Sequence, residues 1–440
     1  MYTETKQLTH VMNDMMFATG NYQRTIMQAV LDAQRINGAG HIIVEDIERR
    51  PLSYRKLLSQ AFIVGNKIKS QHTHGEIVGV LLPNAIATVL VFLGLQIHGR
   101  VPAMLNYSSG ANGMLNACEL AKINTVYTSR RFIKLGRLDQ VAEALAQKLT
   151  VIYLEDLIPK ITVFDRFGGY LNALFAKAAY FNKSGNAKPD DPAVVLFTSG
   201  TEGPPKGVVL SHANILANGI QLSTRVDFSP QDVIFCTLPI YSSFGLTAGT
   251  LLPLLSGMRA FFYPSPSHTR IVPEMIYEVN ATVVFGSDSL LNAYAHFAHP
   301  YDFYSVRYVY ASAEKVQEET RRIWSERFGV RIFEGYGATE TSPALSANTP
   351  MENKAGTVGR LLPGMQYKLV PVAGVAEGGR LWVKGPNIML GYLLPSQPGV
   401  LQPVADNWYD TGDIVSIDEE GYLTIIGRAS RLVEPEPRLT

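Results

Sequence analysis

An excess of charge of either sign is what this chain most clearly lacks. Against 39 lysines and arginines stand 38 aspartates and glutamates, and the net +1 gives no global attraction for nucleic acid. Cysteine is scarce as well. Cys118 and Cys236 lie far apart with no metal-like spacing, which excludes a disulfide scaffold and reads as two buried thiols in a reducing cytosol. The nine histidines form no pair at helical ligand spacing near a suitable carboxylate, so no structural zinc site is expected. The N-terminus has no basic stretch leading into an apolar core, the pattern of a secretory leader. Ile77 to Ile97 carries no charge and could pass for a membrane span, but Pro83-Asn84 breaks it. Strand, turn and buried helix of a parallel α/β unit fit that run better than a membrane span, which needs roughly 20 uninterrupted apolar residues.

What is present is an ordinary globular composition, 46% hydrophobic and 18% charged, in 440 residues, too many for a single core. Strand patterns near 78–82, 125–127 and 151–153 alternate with helical ones. A second α/β set has strands near 233–237, 260–263 and 282–285, and past Gly356 short strands with Gly-Pro turns suggest a small β-barrel. The expected division is an N-terminal helical extension (1–20), a first α/β subdomain (21–190), a second (191–355), the barrel (356–426) and a hinge (427–440). A further helical stripe of apolar residues, Phe164, Phe167, Leu171, Leu174, Phe175 and Ala178, is expected to pack into the core. Arg166, Lys177 and Lys183 beside it keep contact with a membrane surface open as the alternative.

The densest chemistry lies in Leu196-Phe-Thr-Ser-Gly-Thr-Glu-Gly-Pro-Pro-Lys-Gly-Val-Val-Leu210. Between two apolar strands, Thr198, Ser199 and Thr201 offer hydroxyls, and Gly200 and Gly203 let backbone N–H groups face an anion. Pro204 and Pro205 stiffen the exit, and Lys206 supplies a compact positive charge. This suits a nucleotide triphosphate, although the loop is no Walker A motif because no Gly-Lys-Ser/Thr follows the glycines. A plain Ser/Gly hairpin loop is the bland alternative. His212, just beyond, reads as a packed residue behind a helix N-cap at Ser211 rather than as a catalytic base.

Companion motifs follow in order: Glu334-Gly-Tyr-Gly-Ala-Thr-Glu340, Tyr409-Asp-Thr-Gly-Asp413 and Gly427-Arg428. With the loop they resemble the signatures of the acyl-adenylate-forming superfamily, which implies the large N-terminal lobe of that α/β fold. Segments such as Met104-Leu-Asn-Tyr107, Tyr263-Pro-Ser-Pro266 and Pro300-Tyr-Asp-Phe-Tyr304 are most similar to one branch, the acyl-[acyl carrier protein] synthetase half of a bacterial bifunctional acyltransferase.

The resemblance implies that ATP and a carboxylic acid give acyl-AMP and pyrophosphate, after which coenzyme A or a phosphopantetheinyl acyl carrier protein displaces AMP. Thr198, Ser199, Gly200, Thr201, Gly203 and Lys206 would cradle the phosphates, Glu340 would ligate Mg²⁺ and Thr339 would serve the α-phosphate. Tyr336 and the Ser312-Ala313-Glu314 backbone would enclose adenine, and Asp413 and Arg428 would hold the ribose. Ser242, Ser243, Phe244 and Gly245 would line the acyl pocket. A medium or long fatty acid, recycled into phospholipid at the cytoplasmic face of a membrane, is the implied substrate.

Two departures count against full activity. Ser242 stands where many relatives carry a histidine. After Gly427-Arg428 the chain reaches Thr440 without the lysine-bearing C-terminal lobe, so a nucleotide-binding module with little catalysis is the alternative expectation.

Overall fold

A computed structural model describes residues 2–68, 72–198, 205–375 and 377–432, with side chains from 11 to 430. Two large sheets carry the molecule. The first has eight strands in the spatial order Leu401–Pro403, Gly391–Leu393, Lys206–Ser211, Pro192–Thr198, Val101–Met104, Ile77–Val80, Thr125–Thr128 and Thr150–Tyr153. Its last five strands are parallel. The second has nine, ordered Arg360–Leu361, Ala344–Ala347, Ile332–Gly337, Tyr308–Ala311, Val283–Gly286, Val233–Cys236, Arg259–Phe262, Ile42–Asp46 and Leu52–Ser53. The six strands from Ile332–Gly337 to Ile42–Asp46 are parallel.

The apolar runs become strands buried on both faces because helices cover each sheet and the sheets share a core. Alternation along Val233–Cys236 shows how: Ile234 and Cys236 join the large cluster common to both sheets, while Val233 and Phe235 join a separate one under the outer helices. Where the sheets meet, the Asn84 amide donates to the Leu238 carbonyl at 2.8 Å and accepts from the Ile240 N–H at 3.0 Å.

Three expectations are corrected. The sheets do not divide at residue 190: Ile42–Asp46 belongs to the second sheet, and Pro192–Thr198 with Gly391–Leu393 to the first. Strand partners are chosen by side-chain packing across space, which sequence order does not carry. The expected barrel is instead a four-stranded antiparallel sheet, Gln366–Val370, Gly379–Lys384, Tyr409–Ile417 and Leu423–Arg428, whose outer strands do not pair with each other. And the stripe on the helix Val163–Leu174 faces outward. Gly169 and Ala173 form its buried side against the helix Tyr54–Ile68, whereas Phe164, Phe167, Leu171, Leu174 and Phe175 are exposed.

Candidate active site

The hairpin Pro192–Thr198 and Lys206–Ser211 brings the two ends of the phosphate loop together, Thr198 opposite Lys206. Ser199, Gly200, Thr201 and Gly203 lie outside the described residues. Beyond the hairpin Ser211 caps the helix His212–Arg225 reciprocally with Asn214. His212 is buried there, accepts the Ile26 N–H at 3.2 Å, and burial depresses its pKa to about 4. It is a neutral packing residue.

The motif around Tyr336 arrives on the strand Ile332–Gly337, whose C-terminal end opens toward the first sheet. A Cβ on Gly337 would stand 1.9 Å from the Pro343 carbonyl oxygen, so only glycine admits this return of the backbone. The return is pinned by buried amides. Asn387 Nδ2 donates to the Thr341 and Ala344 carbonyls at 2.8 and 3.0 Å, and Asn218 grips both the carbonyl and the N–H of Ala344 at 2.8 and 3.1 Å. Fully satisfied networks of this kind hold one geometry.

Two carboxylate–tyrosine pairs result. Tyr336 donates its phenol to Asp413 Oδ2 at 2.5 Å, and Arg428 Nε meets Asp413 Oδ1 at 3.1 Å. Burial, reinforced by the Asp413 charge, pushes the Tyr336 phenol far above its usual pKa, so it remains a donor. Tyr392 donates to Glu340 Oε1 at 2.7 Å, and burial together with the Glu340 charge raises its pKa too. Lys206 Nζ sits 4.9 Å from the centre of the Tyr392 ring, so this one tyrosine links the phosphate-loop lysine to the carboxylate. The sequence reading missed Tyr392, and its tyrosine neighbour Tyr409. The signal available was only an aromatic on a three-residue strand after Lys384-Gly-Pro-Asn-Ile388.

A cavity of about 250 Å³ joins the two predicted sets. Tyr336, Thr339, Ser312 and Ala313 line one part, Ser243 and Phe244 another, and Ser243 donates to Thr339 Oγ1 at 3.4 Å across the boundary. Further in, the wall is apolar, with Ala248, Leu252, Phe285 and Leu222. Ala313 holds φ at +72°, a left-handed conformation unusual for alanine and often kept at functional sites. Phe244–Leu251 is a π-helical stretch, a form found mostly at such sites.

Of the predicted residues that are described, Thr198, Lys206, Glu340, Asp413 and Arg428 stand outside this cavity's lining, as do Glu314, Ser242 and Gly245. Glu314 turns outward and accepts the Ser289 N–H and hydroxyl at 2.9 and 2.7 Å, satisfying the start of the helix Asp288–Phe297 and lowering the Glu314 pKa. Ser242 is absorbed by its own turn, donating to the Pro239 carbonyl at 2.7 Å and accepting the Gly245 N–H at 3.1 Å. Gly245 is there for clearance, since a Cβ would lie 2.1 Å from the Pro239 oxygen.

Among the described residues no three histidine, cysteine, aspartate or glutamate side chains cluster to hold a metal. Glu340, with one carboxylate oxygen on Tyr392, suits Mg²⁺, which takes one or two carboxylates and completes its shell with phosphate and water.

A family model described as "AMP-binding enzyme" matches residues 33–393. A long-chain-fatty-acid–CoA ligase of Yersinia pestis is 28% identical over 398 residues, covering 82% of this chain and 68% of its own length. A probable 4-coumarate–CoA ligase 3 of Dictyostelium discoideum is 26% identical, covering 90% and 73%. In fold, the chain matches an anthranilate CoA ligase in complex with anthranoyl-AMP (TM-score 0.76, 19% identity), covering 94% of this chain and 79% of that one. It also spans the whole of the inhibitor-bound N-terminal domain of FACL13 from Mycobacterium tuberculosis, with 92% of this chain covered (TM-score 0.75, 19% identity).

Proposed function

The chain belongs to the AMP-binding enzyme family, and from that membership we propose that it activates a fatty acid as its acyl-AMP and passes the acyl group to a thiol. The observation that carries this reading is the single cavity running from Tyr336 and Thr339 past Ser243 to the apolar wall at Leu252 and Phe285. It lets one molecule place a polar nucleotide and an apolar acid side by side, converting a slow encounter between anions into an oriented reaction.

In this reading the hydroxyl of Thr339 donates to the α-phosphate, and Lys206 offsets charge on the departing pyrophosphate. Asp413 accepts the ribose hydroxyls while Tyr336 and Arg428 hold its carboxylate in place. Bound at Glu340, Mg²⁺ would neutralise phosphate charge. A long-chain fatty acid is supported by the relatives that use one, with coenzyme A as their thiol. A carrier-protein thiol and phospholipid recycling at the cytoplasmic face of a membrane rest on the resemblance of the branch segments alone.

Acid-dependent exchange of radiolabelled pyrophosphate into ATP, scanned over fatty-acid chain lengths, is the test. Exchange that is strongest with a medium or long acid and lost in Glu340→Gln supports the reading. Nucleotide binding without exchange for any acid would overturn it. That second outcome is favoured by one observation, the engagement of Ser242 within its turn, which leaves that hydroxyl no role toward a carboxylate.

A further inference from the structure

The helix Val163–Leu174 is built inside out for a globular protein. Its small residues point inward: a Cβ on Gly169 would stand 2.4 Å from Ile63, so nothing larger fits against the helix Tyr54–Ile68. Its bulky residues point into solvent, with Phe164 87%, Phe167 61% and Phe175 65% exposed, joined by Val163, Leu171 and Leu174. Exposed apolar patches of this extent mark a surface that something covers.

The charge on the stripe's own segment is mostly basic, with the acids Glu155, Asp156, Asp190 and Asp191 just beyond its two ends. Residues 158–189 contain Lys160, Arg166, Lys177, Lys183 and Lys188 but only one acid, Asp165. That carboxylate is taken up by Lys67 at 2.7 Å and by the Thr162 N–H at 2.7 Å, and these contacts lower its pKa to about 2. The helix it caps is twelve residues long, about 18 Å at 1.5 Å per residue, far short of the roughly 30 Å of a hydrocarbon core. No helix among the described residues is long and apolar enough to cross a membrane.

We propose that Val163–Leu174 docks this protein on an anionic lipid bilayer, lying in the plane of the interface. Its aromatics enter the headgroup boundary while Lys160, Arg166 and Lys177 meet the lipid phosphates. A polar protein partner would leave the aromatic stripe in water, and a zwitterionic surface would leave the basic flank without a counterpart. The interfacial layer satisfies both at once. This inference stands on the surface alone and is independent of the activity proposed above.

The test is flotation of the full chain with vesicles of phosphatidylcholine, with and without phosphatidylglycerol. Two variants accompany it, Phe164→Ser/Phe167→Ser and Arg166→Gln/Lys177→Gln, with thermal midpoints checking that each folds. The wild type is expected to bind the anionic vesicles at least about tenfold more tightly than the neutral ones, and each variant to lose about tenfold or more. Equal binding to both vesicle types, or serine-variant binding equal to wild type, would overturn the proposal. So would a wild-type dimer that the serine variant dissociates without any vesicle binding, since the face would then join two copies of the chain.

Discussion

Two apolar helices of twelve residues each lie against the helix Tyr54–Ile68, and they meet opposite fates. Ile86–Ile97 is buried almost all round. Its Gly94 approaches so closely that a Cβ on Gly65 would lie 2.8 Å from the Gly94 carbonyl oxygen. Val163–Leu174 meets the neighbouring helix through its buried Gly169 and Ala173 and through the Asp165–Lys67 ion pair, and leaves its aromatics outside. Apolar content separates the two in part, since Ile86–Ile97 has no charged residue while Val163–Leu174 carries Asp165 and Arg166. The rest of the difference is what lies beyond each: Ile86–Ile97 sits under the sheets, whereas Val163–Leu174 is the last layer.

The comparison can be broken most severely at Leu93, fully buried in Ile86–Ile97. Leu93→Ala should cost about 2–5 kcal/mol in denaturant unfolding, because the cavity cannot collapse inside a packed core. A smaller effect is expected at the outer helix's inward face. Gly169→Ala should cost about 1–3 kcal/mol by overpacking against Ile63, and the same unfolding measurement checks it.

A third effect is set by pH. Asp165 has its pKa lowered from 3.8 to about 2 by Lys67 and Thr162, so its contribution is complete above about pH 4 and is lost as pH falls toward 2. Amide hydrogen exchange should therefore quicken in 160–175 over that window, before it does in 86–97, and Asp165→Asn should remove the step. The least effect belongs to Phe164→Ser. With the ring already in water, stability should move by no more than about 0.5 kcal/mol, which thermal unfolding can read. A loss comparable to Leu93→Ala would mean that Phe164 is covered in solution.

The same pair of helices shows what could be read before the structure. The strands were legible because parallel strands buried on both faces are near-continuous apolar runs, as at 78–82 and 194–197. The stripe at Phe164 was legible as a stripe, but periodicity names a face without saying whether another layer covers it. The cavity's Tyr336, Thr339, Ser243 and Phe244 were found through ordered motifs. Tyr392 was not, because its value comes from contacts to Lys206 and Glu340, both more than fifty positions away in the chain. At Glu314 the motif speaks for the backbone alone, and the carboxylate's service to a local helix start is visible only in the structure.

The interleaving of the sheets has a consequence for how this protein is made. The first sheet waits for Gly391–Leu393 and Leu401–Pro403, and the second already holds Ile42–Asp46. At synthesis rates of about 5–20 residues per second, strands such as Ile42–Asp46 and Lys206–Ser211 spend roughly ten to forty seconds without one of their neighbours. A ribosome carrying the first half therefore carries open strand edges rather than a finished domain, and cutting the gene near codon 190 would yield two pieces that each lack strands of their own sheet.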